Sequence, residues 1–462
     1  MSERKSAVVL GGSLAGLLAA RALVSTGARV TVVERDVLPS GPEPRKGLPQ
    51  ARHVHQLWSG GARALEELLP GAVARLRAAG VRRVPMTTGM VALSPYGWYR
   101  RWAESAYLLP AGRDLLDWVI RELVLADGDI ELLDGSEAVG LTGTADAVTG
   151  VRVLVRGEER ALTADLVVDA TGRASRATAW LTALGLPAPE RREVDSGLVY
   201  ASRLFQAPPG AGEDFPAVNI EPDVRGSGTS RGGVLMPVEE GRWMVTLFGT
   251  AQDELPRASA DFAPYALTRL RHPLIGELLA HATPLTDVTL TRTTANRRCH
   301  YERMPRWPDH FAVLGDALCA LNPVYGHGMS VAAKSALALR EVVTRRGGLG
   351  TPGLSRRIQK AAARETTAAW DLATGSDVFY PDATTGPTLR DRLLSPYLAR
   401  LLHTATGNGR VARRVTDVTS LQRPAETLLT PSMLLAAAIG PLKPPLTEPP
   451  LTENERKAAG LV

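Results

Sequence analysis

The chain is poor in cysteine, with only Cys299 and Cys319 in 462 residues. Two residues so placed make neither a disulfide framework nor a cysteine metal site, and a reducing, cytoplasmic setting is the expectation. No apolar run reaches the roughly eighteen residues a membrane-spanning helix needs, so stable membrane insertion is not expected. Met433 to Leu442 is apolar but short, and reads as a core helix. Arg4 and Lys5 precede an apolar run that glycines break, so no signal peptide is read there. Arginine far outnumbers lysine, but the basic residues are scattered and no basic stripe with interleaved aromatics occurs. Nucleic acid is therefore not an expected partner. Internal repeats are absent as well.

What remains is a globular composition, 44% hydrophobic and 22% charged, with a modest net charge of +6. The length suits two or three domains, or one large fold with an inserted part. Ala7 to Leu10 is a short apolar strand. Gly11-Gly12-Ser13-Leu14-Ala15-Gly16 follows, then an Ala/Leu-rich helix to about Ser25. A second strand, Val30 to Val33, ends on Glu34. This is the layout of a dinucleotide fingerprint, with Ser13 at the middle glycine. The glycines allow a tight turn and close approach to a pyrophosphate at the helix N-terminus. Glu34 is placed to accept hydrogen bonds from a ribose. An acid there favours an unphosphorylated ribose, as in FAD or NAD.

A turn-rich loop, Pro39 to Pro49, leads into Arg52, His53 and His55. Arg45, Lys46 and Arg52 bring positive charge beyond the first strands, which suits a pyrophosphate. His53 and His55 have no third ligand nearby, so a metal is not expected. Only 5% of the residues are aromatic, and against that background Tyr96, Trp98, Tyr99 and Trp102 form a cluster. A helix starts at Arg113, which is placed to reach a phosphate. Asp165 to Arg173 is an apolar strand and tight turn. From Leu186 strands dominate: Val194 to Phe205, Val218 to Glu221, Gly233 to Val238 and Arg242 to Thr250. They read as an antiparallel sheet inserted into an α/β domain. Phe311 to Asp316 returns to the α/β style, and a loop from Pro323 to Met329 opens onto a long helix, a second anion-binding device. The C-terminal part reads as helical, and Gly440 to Glu453 as an extended proline-rich tail.

In this order the motifs resemble the FAD-dependent monooxygenases of the para-hydroxybenzoate hydroxylase fold. They are the fingerprint with Glu34, the middle motif Asp165 to Arg173, Gly315-Asp316, and the loop Pro323 to Gly328. Three phrases resemble the bacterial epoxidases of polyether biosynthesis more closely: Arg45 to His53, Asp195 to Tyr200, and Asn322 to Ser330. The resemblance implies an α/β fold with a Rossmann-like FAD-binding domain, an inserted antiparallel substrate sheet and a helical C-terminal region. Its boundaries would be 1–185 (with 86–110 joining the sheet), 186–290 for the sheet, 291–345 for the return segment, and 346–462. Asp316 would bind the ribityl chain, and backbone amides from Gly326 through His327 and Gly328 to Met329 would face the flavin pyrimidine. Pro323 belongs to the same loop. Arg52 and Arg113 match family arginines near the ribityl and pyrophosphate. Arg35, Val139, Thr171 and Gly172 complete the cofactor set. Thr171 stands where the family usually has aspartate.

The activity so implied is FAD-dependent monooxygenation with NAD(P)H and O2, through a flavin C4a-hydroperoxide. It would epoxidise alkenes of an apolar polyketide, such as a polyether precursor, or of a terpenoid. The cofactor carries that chemistry, so no catalytic side chain is assigned. Candidates for the substrate pocket are Tyr96, Trp98, Val199, Arg203, Phe205, Met236, Trp243 and Phe248. Aromatic hydroxylation, flavin-dependent halogenation and non-catalytic flavin binding are the alternatives. Lys46 and Lys334 are the only lysines near the expected flavin. A monomer or homodimer acting on a small apolar substrate is expected.

Overall fold

The structure is a computed structural model that describes residues 4–212, 214–226 and 230–462. Its centre is a five-stranded parallel sheet in the order 311–313, 166–169, 6–10, 29–33, 130–133. The three strands 311–313, 166–169 and 6–10 are short apolar runs buried on both faces, as parallel strands under helices are, whereas 29–33 and the edge strand 130–133 are only partly buried. The register aligns Leu10 with Val33 and Asp169, and Asp169 with Val313. Four turns are thereby gathered at one carboxyl edge: Gly11, Glu34, Thr171 and Gly315. Helices Leu14–Val24, Arg113–Leu125 and Gly328–Arg345 pack on this sheet. A three-stranded meander, 136–143, 148–155 and 158–163, covers it further.

The inserted sheet has eight strands. Leu198–Gln206, Arg242–Thr250, Gly232–Val238 and Ala217–Ile220 run antiparallel in that order. Met90–Ser94 joins them in parallel with Ala217–Ile220. The sheet is therefore mixed, because that strand arrives from the N-terminal segment. One face is sealed by helices Phe262–Thr268 and Leu274–Leu279. The other turns toward the parallel-sheet half.

The C-terminal helices Leu354–Asp377, Leu389–Gly407, Gly409–Thr419 and Pro431–Ile439 follow. The proline-rich tail is extended but not free. Leu446 bridges Trp98, Arg101 pairs with Glu455 at 2.7 Å, and Leu451 and Ala459 are buried in the sheet core. The 433–442 segment is a core helix on one side only: Met433 and Ala437 are buried among the C-terminal helices, while Leu434, Leu435, Ile439 and Leu442 face outward.

Candidate active site

The fingerprint turn is locked by backbone geometry. The Gly11 amide donates to Val33 O at 2.8 Å. Gly11 has φ +102°, and a Cβ there would lie 2.6 Å from Ala170 O. At Gly16 a Cβ would lie 1.7 Å from Gly11 O, so only glycine lets helix and strand approach this closely. Glu34 accepts from the Gly12 amide at 2.7 Å and the Asp36 amide at 2.9 Å.

In front of this helix N-terminus stands a buried charge cluster. Arg113 donates to Ser13 Oγ at 2.8 Å and lies 3.5 Å from Asp117. Arg45 lies 3.5 Å from both Glu34 and Asp117, and Arg121 is 3.8 Å from Asp117. Burial pulls the Arg113 guanidinium below its ordinary value, with Asp117 opposing. Arg45 Nε and Nη1 and Arg113 Nε are buried without a hydrogen-bond partner. Unpaired guanidinium donors beside a helix N-terminus fit a pyrophosphate. Asp117 and Arg121 escaped the sequence reading, because spacings of one and two turns from Arg113 show only that they share a face. Leu14 and Ala15 open the helix, Arg35 is exposed beyond its strand, Arg52 is exposed, and Val139 is half-buried in the meander.

Gly172 turns with φ +76° after Thr171, whose hydroxyl donates to the fully buried Asp169 at 2.6 Å. Arg173 donates to Ala295 O and Leu321 O and approaches Asp316 to 4.0 Å. It ties the middle motif to the late one. Burial raises the Asp316 carboxyl, while Arg173 and then Arg113 pull it back.

The loop Pro323–Gly326 is held from behind. Asn322 Oδ1 accepts from the Val324 amide and from the Tyr200 hydroxyl. Asp377, fully buried, accepts from Asn322 at 2.8 Å, Asn296 at 2.6 Å and Tyr325 at 2.6 Å. Met329 Sδ accepts from Arg113 at 2.7 Å. His327 meets Thr419 O at 2.8 Å, and burial lowers its imidazole to about 4. Gly328 opens the long helix directly beneath Asp316.

The sheet face turned to this loop carries Tyr200, Ser202, Met236, Thr246 and Phe248. Leu198, Tyr200, Phe248 and Tyr380 pack with Val324, while Met236 packs with Trp58. A polar chain crosses this surface: His53 Nδ1 to Ser202 Oγ at 2.7 Å, then Ser202 to Thr246 at 2.6 Å. Burial lowers His53 to about 4 and His55 to about 3. At the end of the strand Ala217–Ile220, Glu221 is raised to about 7 by burial, with Arg271 opposing. Tyr96 lies beyond Ser94, its ring 6.3 Å from that of His403.

Five pocket candidates lie elsewhere. Trp98, Val199, Phe205 and Trp243 pack in the core under the two covering helices, and Arg203 bonds to Thr286 O and Ser259 O on that side. Side chains alternate along a strand, and these residues occupy the other phase.

A model of the FAD binding domain family matches residues 4–344. The chain belongs to this family of FAD-dependent monooxygenases. Protein Rv3254 of Mycobacterium tuberculosis is 31% identical over 403 residues, covering 84% of this chain and 83% of that protein. The kynurenine 3-monooxygenase of Salinispora arenicola is 29% identical over 367 residues, covering 74% and 73%. Among solved structures, the flavin-dependent brominase Bmp2 superposes with a TM-score of 0.64 at 16% identity, covering 95% and 97% of the two chains. PqsL, a probable FAD-dependent monooxygenase from Pseudomonas aeruginosa, superposes with a TM-score of 0.62 at 19% identity, covering 82% and 97%. These two likenesses concern the fold.

Proposed function

We propose that this monooxygenase epoxidises alkenes of an apolar polyketide or terpenoid, using NAD(P)H and O2. In balance, alkene, O2, NAD(P)H and a proton give epoxide, water and NAD(P)+. Bound FAD, once reduced, supplies the electrophilic oxygen atom derived from O2. The residues that would hold it are Gly11 to Gly16, Glu34, Arg45, Arg113, Asp316 and the loop Pro323–Met329. The observation that carries the reading is the sheet face opposite that loop. Tyr200, Met236 and Phe248 are apolar or neutral there, and His53 is a weak base. Such a surface orients an apolar substrate and excludes water from the reacting atoms.

A second reading, hydroxylation of a phenol, draws on the His53–Ser202–Thr246 chain, which offers a route for a phenolic proton, and on the kynurenine 3-monooxygenase relative. Halogenation is less supported: Lys334 is paired with Glu365 at 3.0 Å and Lys46 is exposed. The test is reaction of purified yellow protein with alkenes and phenols under 18O2. One labelled oxygen in an epoxide supports the first reading. A labelled phenol selects the second, and a chloride-dependent product would replace both.

A further inference from the structure

The helix Pro431–Ile439 is turned inside out relative to an ordinary surface helix. Its Met433 and Ala437 enter the small core of the C-terminal helices. Its outward side carries Leu434, Leu435 and Ile439, with Leu429 before it and Leu442 after it. No charged residue occurs from Thr427 to Leu442. On the neighbouring helix, Leu389 and Leu393 are exposed one turn apart, on the stripe that continues through Pro396 to Arg400. Arg400 Nε donates to Ala437 O at 2.8 Å and its Nη2 to Ala438 O, so the two exposed faces meet at this side chain. These six leucines and one isoleucine are 47–74% exposed. They are more than half of the large exposed hydrophobics among the described residues, concentrated in one short segment, so chance scatter does not explain them.

Charge identifies what covers this face. Between residues 389 and 443 there are eight Lys/Arg and three Asp/Glu, a surplus of five positive charges in a chain whose total is +6. Arg390 and Arg392 flank the two leucines of the first helix, Arg400 lies at the junction, and Lys443 follows Leu442; all four are exposed. A second copy of the chain is a poor occupant. A twofold contact would place the same cationic rim against itself. An apolar face rimmed by cations suits an anionic bilayer, with the side chains entering the boundary between headgroups and acyl chains. Among the described residues no helix is long and apolar enough to cross a membrane, so the contact is peripheral.

We propose that this face docks the protein on bilayers containing anionic phospholipid. The surface is joined to the site, since Thr419 of the adjoining helix bonds His327. Docking would therefore set the site next to a store of lipid-dissolved substrate. The docking itself does not depend on which oxygenation the enzyme performs.

The test is cosedimentation of the full-length FAD-loaded protein with vesicles of phosphatidylcholine, with and without phosphatidylglycerol. Two variants are compared, L435S/I439S and R390E/R392E, and melting temperature serves as the folding control. Because the four positions are exposed, both variants are expected to melt like the wild type. The expected result is binding to the anionic vesicles alone, weakened by salt and reduced roughly tenfold or more in each variant. No binding by the wild type, or equal binding by wild type and variants, overturns the proposal. A wild-type dimer that L435S/I439S converts to monomer, without vesicle binding, assigns the face to a second copy instead.

Discussion

Tyr325 donates its hydroxyl to Oδ1 of Asp377 at 2.6 Å. Through that bond, and those from Asn322 and Asn296, a helix behind the site holds the loop that fronts it. Asp377→Ala would take an acceptor from three buried groups, of which Asn296 keeps Val194 O, Asn322 keeps Ser196 Oγ and Tyr325 loses its partner. A loss of about 3 kcal/mol is expected, with a lower melting temperature and weaker flavin retention on dilution. Asp377→Asn keeps some acceptors and should fall between. Unchanged flavin retention in the alanine variant would separate the loop from this anchor.

Arg45 has guanidinium nitrogens buried without hydrogen-bond partners. Arg45→Ala removes those donors together with the buried contacts to Glu34 and Asp117. FAD affinity should drop about tenfold or more, measured by flavin fluorescence titration, and the apoprotein should melt below the wild type because two buried carboxylates lose a cation.

Glu221 lies at about 7 in the folded protein against an ordinary 4.5. The folded state therefore binds this proton more tightly than the unfolded chain. Its contribution to stability declines as pH rises from about 4.5 and levels off above about 7. Glu221→Gln should remove that slope and be more stable than wild type at pH 8, by about 2 kcal/mol after allowing for partial solvent access. Denaturant melts at several pH values measure it; parallel curves for the two proteins would refute it.

Trp243 and Phe248 test the two faces of the inserted sheet. Trp243 is fully buried under the covering helices, so Trp243→Ala should cost about 3–5 kcal/mol. Phe248 packs with Tyr200 beside the loop, so Phe248→Leu should retain the fold and change substrate KM several-fold. The reverse pattern would mean that the faces are misassigned.

His53 is lowered to about 4 by burial and is neutral throughout the physiological range. Rate profiles between pH 6 and 8 should show no step from this residue. Ser202→Ala removes its hydroxyl partner and is expected to reduce kcat/KM about tenfold toward a phenol and little toward an alkene, with flavin content unchanged. A step in that pH window that vanishes in His53→Gln would contradict the neutral imidazole.

The gathering of the cofactor motifs was legible because its signals are local. Apolar strands, turn glycines and a terminal acid each speak for themselves, and parallel pairing then brings Gly11, Glu34, Thr171 and Gly315 to one edge. Asp377 was not legible, since nothing near residue 377 announces partners fifty or more positions earlier. The same holds for Arg173, whose carbonyl partners come from two distant segments.

The sequence by itself determined a dinucleotide-binding α/β fold with an inserted sheet through patterns that span thirty residues or fewer, and FAD through the order of its motifs from Gly11 to Ser330. Only the tertiary structure decided which phase of that sheet meets the site. Arg242–Thr250 is buried along nearly its whole length, so no polar alternation marks Thr246 and Phe248 apart from Trp243 and Val245. Likewise, the apolarity of residues 433–442 was plain, but hydrophobicity records a preference for leaving water and not which neighbour supplies the cover.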